Sequence, residues 1–297
     1  MSKQRVHRFV SKDLTVRIAA VNATEVVQHM QDLQNTYPLA TIAVGRGMVG
    51  ALLMAAQLKE GQTVGLLFKG DGPLGSVYAE ASYEGNVRGY TPNPQYTPEN
   101  YDNGLNLTEA MGKGTLNVTR HLPFQKQPFH GMVDLVTGEI GQDIAHYLHQ
   151  SHQIRSLVSL GVYLDRDAKV QVAGGVLIEV MPGVSEEVVD MIQANYEDFQ
   201  PNISKMLMEG AQPVDLVKPF MAGIEFEEIP HDHQVQYSCP CDQERVVRAL
   251  EALGAAELED MITKSEPADV TCQVCGKPYT VNIEELKVIK DRVSHLH

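Results

Sequence analysis

The chain has 297 residues and a mass of 32.8 kDa, with 43% hydrophobic and 21% charged residues; this is the make-up of a soluble, globular protein with one large domain and room for a smaller one. Its net charge of −14 repels a phosphate backbone, which argues against nucleic acid as a partner. The N-terminus, MSKQRVHRFVSKDLTV, has no apolar run of the signal-peptide kind, and AVGRGMVGALLMAAQL is short and glycine-rich for a membrane span. A cytosolic protein is expected, with no membrane partner; there the four cysteines point to metal or redox chemistry rather than to structural disulfides.

In chain order, residues 14–21 (LTVRIAAV) read as a strand. Residues 23–37 read as a helix through Val26, Val27, Met30 and Leu33, and residues 39–58 as a second, mostly buried helix. Residues 62–90 become β, two or three strands punctuated by glycine turns. GTLNVTRHL adds a strand, GQDIAHYLHQSHQI a helix, and residues 156–183 a long hairpin turning at Asp165 to Asp167. Pro182-Gly183 closes this β-rich body. Residues 184–236 carry 11 acidic and 2 basic side chains, whereas residues 1–183 carry 16 and 15. That middle region holds an amphipathic helix from Ser185, which can cap it, followed by the shorter pieces NISKMLMEG and PVDLVKPFMAG and by IEFEEIPHDHQVQ. Its apolar residues (Ile192, Phe199, Met206, Leu207, Met208, Phe220, Met221) compete with its like charges, as in a metastable helical linker. In the tail, Asp242 caps a helix with Val246, Val247, Leu250 and Leu253 on one face, ending at Gly254; Leu258, Met261 and Ile262 mark another. DVTCQVCGKPYTVN forms a hairpin, and EELKVIKDRV a last helix.

Three local patterns invite other functions. GRGMVG (45–50) matches the dinucleotide fingerprint, but Leu39, Ile42, Met48, Val49, Leu52, Leu53 and Ala56 fit one continuous helix, in which the glycines permit close packing. GDGPLG (70–75) precedes a strand rather than a helix, so a hairpin turn is expected. His146, His149 and His152 recur every third residue, a spacing that drifts around the helix instead of converging on one ion. No motif of a hydrolase elbow, zinc protease or nucleotide loop is present, and no enzyme activity is expected.

The cysteines follow Cys239-Pro-Cys241, thirty residues, then Cys272-x-x-Cys275. Two close pairs joined by such a spacer suit a tetrahedral zinc site of four thiolates, and Gly276 suits the knuckle behind Cys275. His231 and His233 are nearby competitors as ligands. The spacing alone leaves a structural zinc ribbon and a redox switch both open. A ring closed by Cys239-Pro-Cys241 is small and strained, which suits a reversible bond.

The tail YSCPCDQERVVRALEALGAAELEDMITKSEPADVTCQVCGKPYTV resembles the switch of the 33 kDa chaperonin family, the redox-regulated heat shock protein 33. GDGPLGSVYAEASYEGNVRGY, FHGMVDLVTGEIGQDIAHYLHQSHQI and VAGGVLIEVMPG resemble its core segments, so the likeness covers nearly the whole chain. It implies an α+β fold: a core domain (1–183), a metastable helical linker (184–236) and a zinc-binding redox switch (237–297). It further implies an ATP-independent holdase of the oxidative stress response, idle while reduced with one Zn2+ on Cys239, Cys241, Cys272 and Cys275. Oxidation would then form the disulfides Cys239–Cys241 and Cys272–Cys275, release zinc, unfold the linker, let unfolding clients bind and favour a homodimer. A nicotinamide-dependent oxidoreductase acting through GRGMVG and a constitutive zinc-ribbon adaptor are the competing expectations.

Overall fold

The first strand, β1 (Val6–Ser11), turns back through Asp13 and Leu14 into β2 (Val16–Asn22). Leu14 has a positive φ of 62° and is exposed, so the turn takes the first residues of the expected strand 14–21. The computed structural model describes residues 4–98, 105–125, 127–199 and 202–294. Helix α1 (Thr24–Gln34) buries Val26, Val27 and Met30, whereas Leu33 reaches solvent. Helix α2 (Pro38–Ala55) starts with Pro38 in its first turn, where the missing N–H costs no bond. Three strands follow, β3 (Thr63–Gly70), β4 (Ser76–Ser82) and β5 (Asn86–Tyr90). Then come α3 (Leu107–Met111), β6 (Gly114–His121), β7 (Phe129–Asp134) and α4 (Ile140–His152). The hairpin β8 (Arg155–Leu164) and β9 (Val170–Val180) turns where Asp165 accepts the Lys169 amide at 2.9 Å.

Beyond it lie α5 (Glu186–Phe199), α6 (Ile203–Met208), α7 (Pro213–Val217), β10 (Phe226–Ile229) and β11 (Gln236–Tyr237). The described residues up to Ser238 form one compact unit and those from Cys239 a second. In the first unit one sheet has the order β10-β1-β2-β9-β8 and the other β11-β5-β4-β3-β6-β7. Among the described residues its strand pairings are antiparallel except β11 with β5.

Helix α2 packs against strands of both sheets, which explains why it is apolar all round. By length and composition it could cross a membrane, yet 83% of it is buried inside the protein. Its glycines serve packing: a Cβ at Gly45 would press on Val27, and one at Gly50 on Ile144. GRGMVG is therefore helix interior. GDGPLG joins β3 to β4 as a hairpin turn, with Gly70 donating to the Gly75 carbonyl.

The five-stranded sheet is apolar on both faces. Along β2, Ala19 and Val21 join the core with α2, while Ile18 and Ala20 join a second core on the opposite face. That second core is completed by Ile192, Ile203, Leu207, Leu216, Val217, Phe220 and Met221, all from the acidic middle region. Phe199 and Met208, expected on its apolar faces, are exposed instead. Strands β10 and β11 extend the sheets from the same region, a contribution that IEFEEIPHDHQVQ does not advertise.

Candidate metal centre

The second unit contains α8 (Gln243–Glu251), α9 (Ala255–Lys264), the hairpin β12 (Ala268–Thr271) and β13 (Pro278–Val281), and α10 (Ile283–Ser294). As expected, Asp242 caps α8, its side chain accepting the Arg245 amide at 2.8 Å. Leu253 lies past the helix end and is exposed. The core is small: Val246, Leu250, Leu258, Tyr279, Val281, Leu286, Ile289 and Val293 are its larger buried side chains. So little apolar burial leaves a domain of this size short of stability without a staple. Cys241 and Cys272 pack against this core.

Cys239 and Cys241 precede α8. Cys272 follows β12, and Cys275 sits in the turn to β13. Gly276 holds that turn with a φ of 70° and donates its amide to the Cys272 carbonyl at 2.8 Å. All four sulfurs lie within 4.8 Å of one another, with Cys239 and Cys272 at 3.8 Å and Cys241 and Cys275 at 3.2 Å. Sulfurs at the corners of a tetrahedron with metal bonds of about 2.3 Å stand about 3.8 Å apart, so this donor set can hold a metal ion. The Tyr279 hydroxyl donates to the Cys241 carbonyl at 2.8 Å and lies 3.1 Å from its sulfur. Burial raises the Cys241 thiol, but hydrogen bonds from Tyr279 and the other cysteines outweigh it and bring the thiol down to about 7. Burial pushes Cys275 up to about 12 and also raises Cys239.

The other sequence candidates lie elsewhere. His231 and His233 pack edge-on against Tyr83 in the first unit, with ring centroids 5.0 and 5.1 Å from it, and lie outside the four-cysteine cluster. His152 packs on Tyr147, while His149 is exposed. A groove of about 710 Å³ between α8 and α10 is lined by Val247, Val288 and Ile289 and by no cysteine.

The family described as Hsp33 protein matches residues 4–282. The chain belongs to the Hsp33 family. A 33 kDa chaperonin of Desulforamulus reducens is 37% identical over 287 residues, covering 96% of this chain and 97% of that protein. A 33 kDa chaperonin of Thermus thermophilus is 38% identical over 298 residues, covering 95% and 85%. The crystal structure of the 33 kDa chaperonin (heat shock protein 33 homolog) of Thermotoga maritima superposes with a TM-score of 0.86 at 33% identity, covering 99% of this chain and all of that one. Hsp33 membership makes the chain a chaperone-family protein, and its four-cysteine cluster is positioned to hold a metal ion.

The four cysteines that the sequence pattern singled out are the ones the fold gathers within 4.8 Å. The pattern did not locate Tyr279, whose hydroxyl reaches Cys241 only because β13 brings it there; the single clue was its place in the cysteine hairpin.

Proposed function

We propose that the protein is a redox-regulated, ATP-independent holdase of the cytoplasm, silent while Cys239, Cys241, Cys272 and Cys275 hold one Zn2+. The four sulfurs gathered within 4.8 Å carry this reading. Bound zinc would offset the repulsion of four thiolates and tie the 239–241 segment to the β12–β13 hairpin. Peroxide takes two electrons from each close pair: two thiols and one H2O2 give one disulfide and two waters. The pairs are Cys239–Cys241 and Cys272–Cys275, and a disulfide sulfur no longer serves as a thiolate ligand.

The chain then transmits the event. Ser238 donates its amide to the Val87 carbonyl at 3.0 Å, one residue before Cys239. The preceding linker, 184–236, is the layer that covers the second face of the five-stranded sheet. With 11 acidic against 2 basic side chains, that layer repels itself and is held by burial. Loss of the folded tail frees one end of it. Ile18, Val176 and Ile178, now covered, become available to unfolding clients, together with the linker's own methionines. The division into core, linker and switch domains follows this logic, as does dimerisation of the oxidised chain. Neither a nucleic acid nor a membrane enters it, and the relatives' name of chaperonin accords with binding rather than catalysis.

The test is to expose zinc-loaded protein to peroxide at mild heat, following zinc with a chelating dye and the aggregation of a chemically unfolded client by light scattering. Release of zinc, appearance of client holding, and reversal of both by a thiol reductant are expected. Retention of zinc, or its loss without client holding, would return the cysteines to a purely structural role.

A further inference from the structure

The outer edge of β1 is occupied by β10, with Arg8 opposite Ile229, Phe9 opposite Glu228, Val10 opposite Glu227 and Ser11 opposite Phe226. Charge complements this ladder. Residues 4–12 contain Arg5, His7, Arg8 and Lys12 and no acid, whereas residues 224–236 contain Glu225, Glu227, Glu228 and Asp232 and neither lysine nor arginine. The pairs formed are Lys12 with Glu225 at 2.5 Å, His7 with Glu228 at 2.8 Å, and Arg5 with Asp232 at 2.9 Å and Glu228 at 3.4 Å. Phe226 meets Phe9 edge to face, 5.7 Å between centroids. Because strand residues two apart share a face, Phe226 and Glu228 both lie on the Phe9 side.

Each contact is of an exchangeable kind. Exposed ion pairs contribute little singly, and a four-residue edge strand has few ladder bonds. Yet the set defines a partner: an extended segment with an aromatic residue and a carboxylate two positions apart, further acids beside them, and a free backbone edge.

We propose that β1 is a strand-recognition site for acidic, aromatic segments of unfolding clients, and that β10 is its built-in occupant in the resting protein. This rests on the chaperone reading above, because β10 belongs to the region that is released. Oxidation would vacate the β1 edge and present its unpaired amides and carbonyls beside Phe9, Arg5 and Lys12, so that a client adds as a new antiparallel strand. The site would favour acidic over basic segments, a selectivity that apolar burial alone does not confer.

The test uses the full chain, reduced with zinc or oxidised with peroxide, and two fluorescent decapeptides read by anisotropy. One carries residues 223–232, GIEFEEIPHD; the other has Lys in place of Glu225, Glu227 and Glu228. The acidic peptide should bind the oxidised chain at least tenfold more tightly than the basic one, and the reduced chain should bind neither. A doubly substituted chain, Arg5→Glu with Lys12→Glu, should reverse the preference once oxidised. Equal binding of the two peptides, or no binding by an oxidised chain that holds clients, would overturn the strand site and leave the chaperone reading standing. An oxidised chain that neither holds clients nor binds peptide would overturn both. Binding seen only after dilution to monomer would assign the edge to a second copy of the chain, and so overturn its occupation by clients.

Discussion

Replacing Phe220 by Ala separates the linker from the metal centre. Phe220 is fully buried in the second core, stacked on Tyr196 with centroids 6.3 Å apart, and its carbonyl accepts from the Asn195 side chain at 2.9 Å. None of these contacts involves a cysteine. Deleting a buried phenyl ring costs about 3–5 kcal/mol, because apolar burial is lost and the rigid β2–β9 face closes only part of the cavity. The lower figure, about 3 kcal/mol, shifts the opening equilibrium of residues 184–236 by roughly 150-fold. Hydrogen exchange on the reduced, zinc-loaded variant should accelerate by about that factor in α5, α6 and α7 and remain slow in β3 and β6. If covering the second face is what keeps the protein silent, the variant holds clients without oxidant while retaining its zinc. Two results would refute the reasoning: unchanged exchange in α5–α7, or accelerated exchange with no client holding.

Three further outcomes follow from other parts of the molecule. Chelation of the metal from reduced protein should remove on the order of 10 kcal/mol from a tail with so small a core, so amide signals of 239–294 collapse to unfolded positions while those of β3–β6 persist. His231, buried and facing Tyr83 and His233, has its pKa lowered to about 4, first by burial and then by Arg8, His233 and Arg5 against the opposing Asp232. Its neutral form is the folded one. Between pH 6.5 and 4 the unfolded segment binds more protons, so stability is full above pH 6.5 and falls with pH by about 2 kcal/mol at pH 5; proteolysis of 184–236 should speed up accordingly, and His231→Leu should flatten the dependence. Gly70→Ala would drive a methyl into the Met111 backbone carbonyl, which cannot rotate away, so the first unit should lose about 2–3 kcal/mol and roughly 5–10 °C of melting temperature by calorimetry.

Much of the local structure was legible because it depends on local rules. Helix α2 shows in the spacing of Leu39, Met48, Leu52 and Leu53, and the β8–β9 turn in Asp165 to Asp167. Strand β7 was missed because Phe129 and Met132 are exposed on a sheet edge and give no clean alternation. Strand β1 was missed because Arg8 interrupts a short apolar run, and β10 because FEEI has half-exposed ends and exposed acids. Strand β1 is defined by its pairing with β2, and β10 by its pairing with β1, more than two hundred positions away in the chain.

By itself, the sequence marked out the four cysteines and most helices, since thiol spacing, caps and 3.6-residue periodicity act within a few residues. The Asp242 cap on α8 and the Gly276 turn behind Cys275 are each readable from a few adjacent residues. Only the tertiary structure decided what the acidic region 184–236 covers. Ile192, Leu207 and Phe220 are apolar wherever they sit; that they close over Ile18 and Ile178 depends on β2 and β9 being neighbours with a second bare face. Likewise the carboxylates of 225–232 are a plain acidic run until β10 lies along β1 and meets Arg5, His7 and Lys12. Burial and ion pairing are properties of surfaces brought together, and no single stretch of chain contains both sides of either.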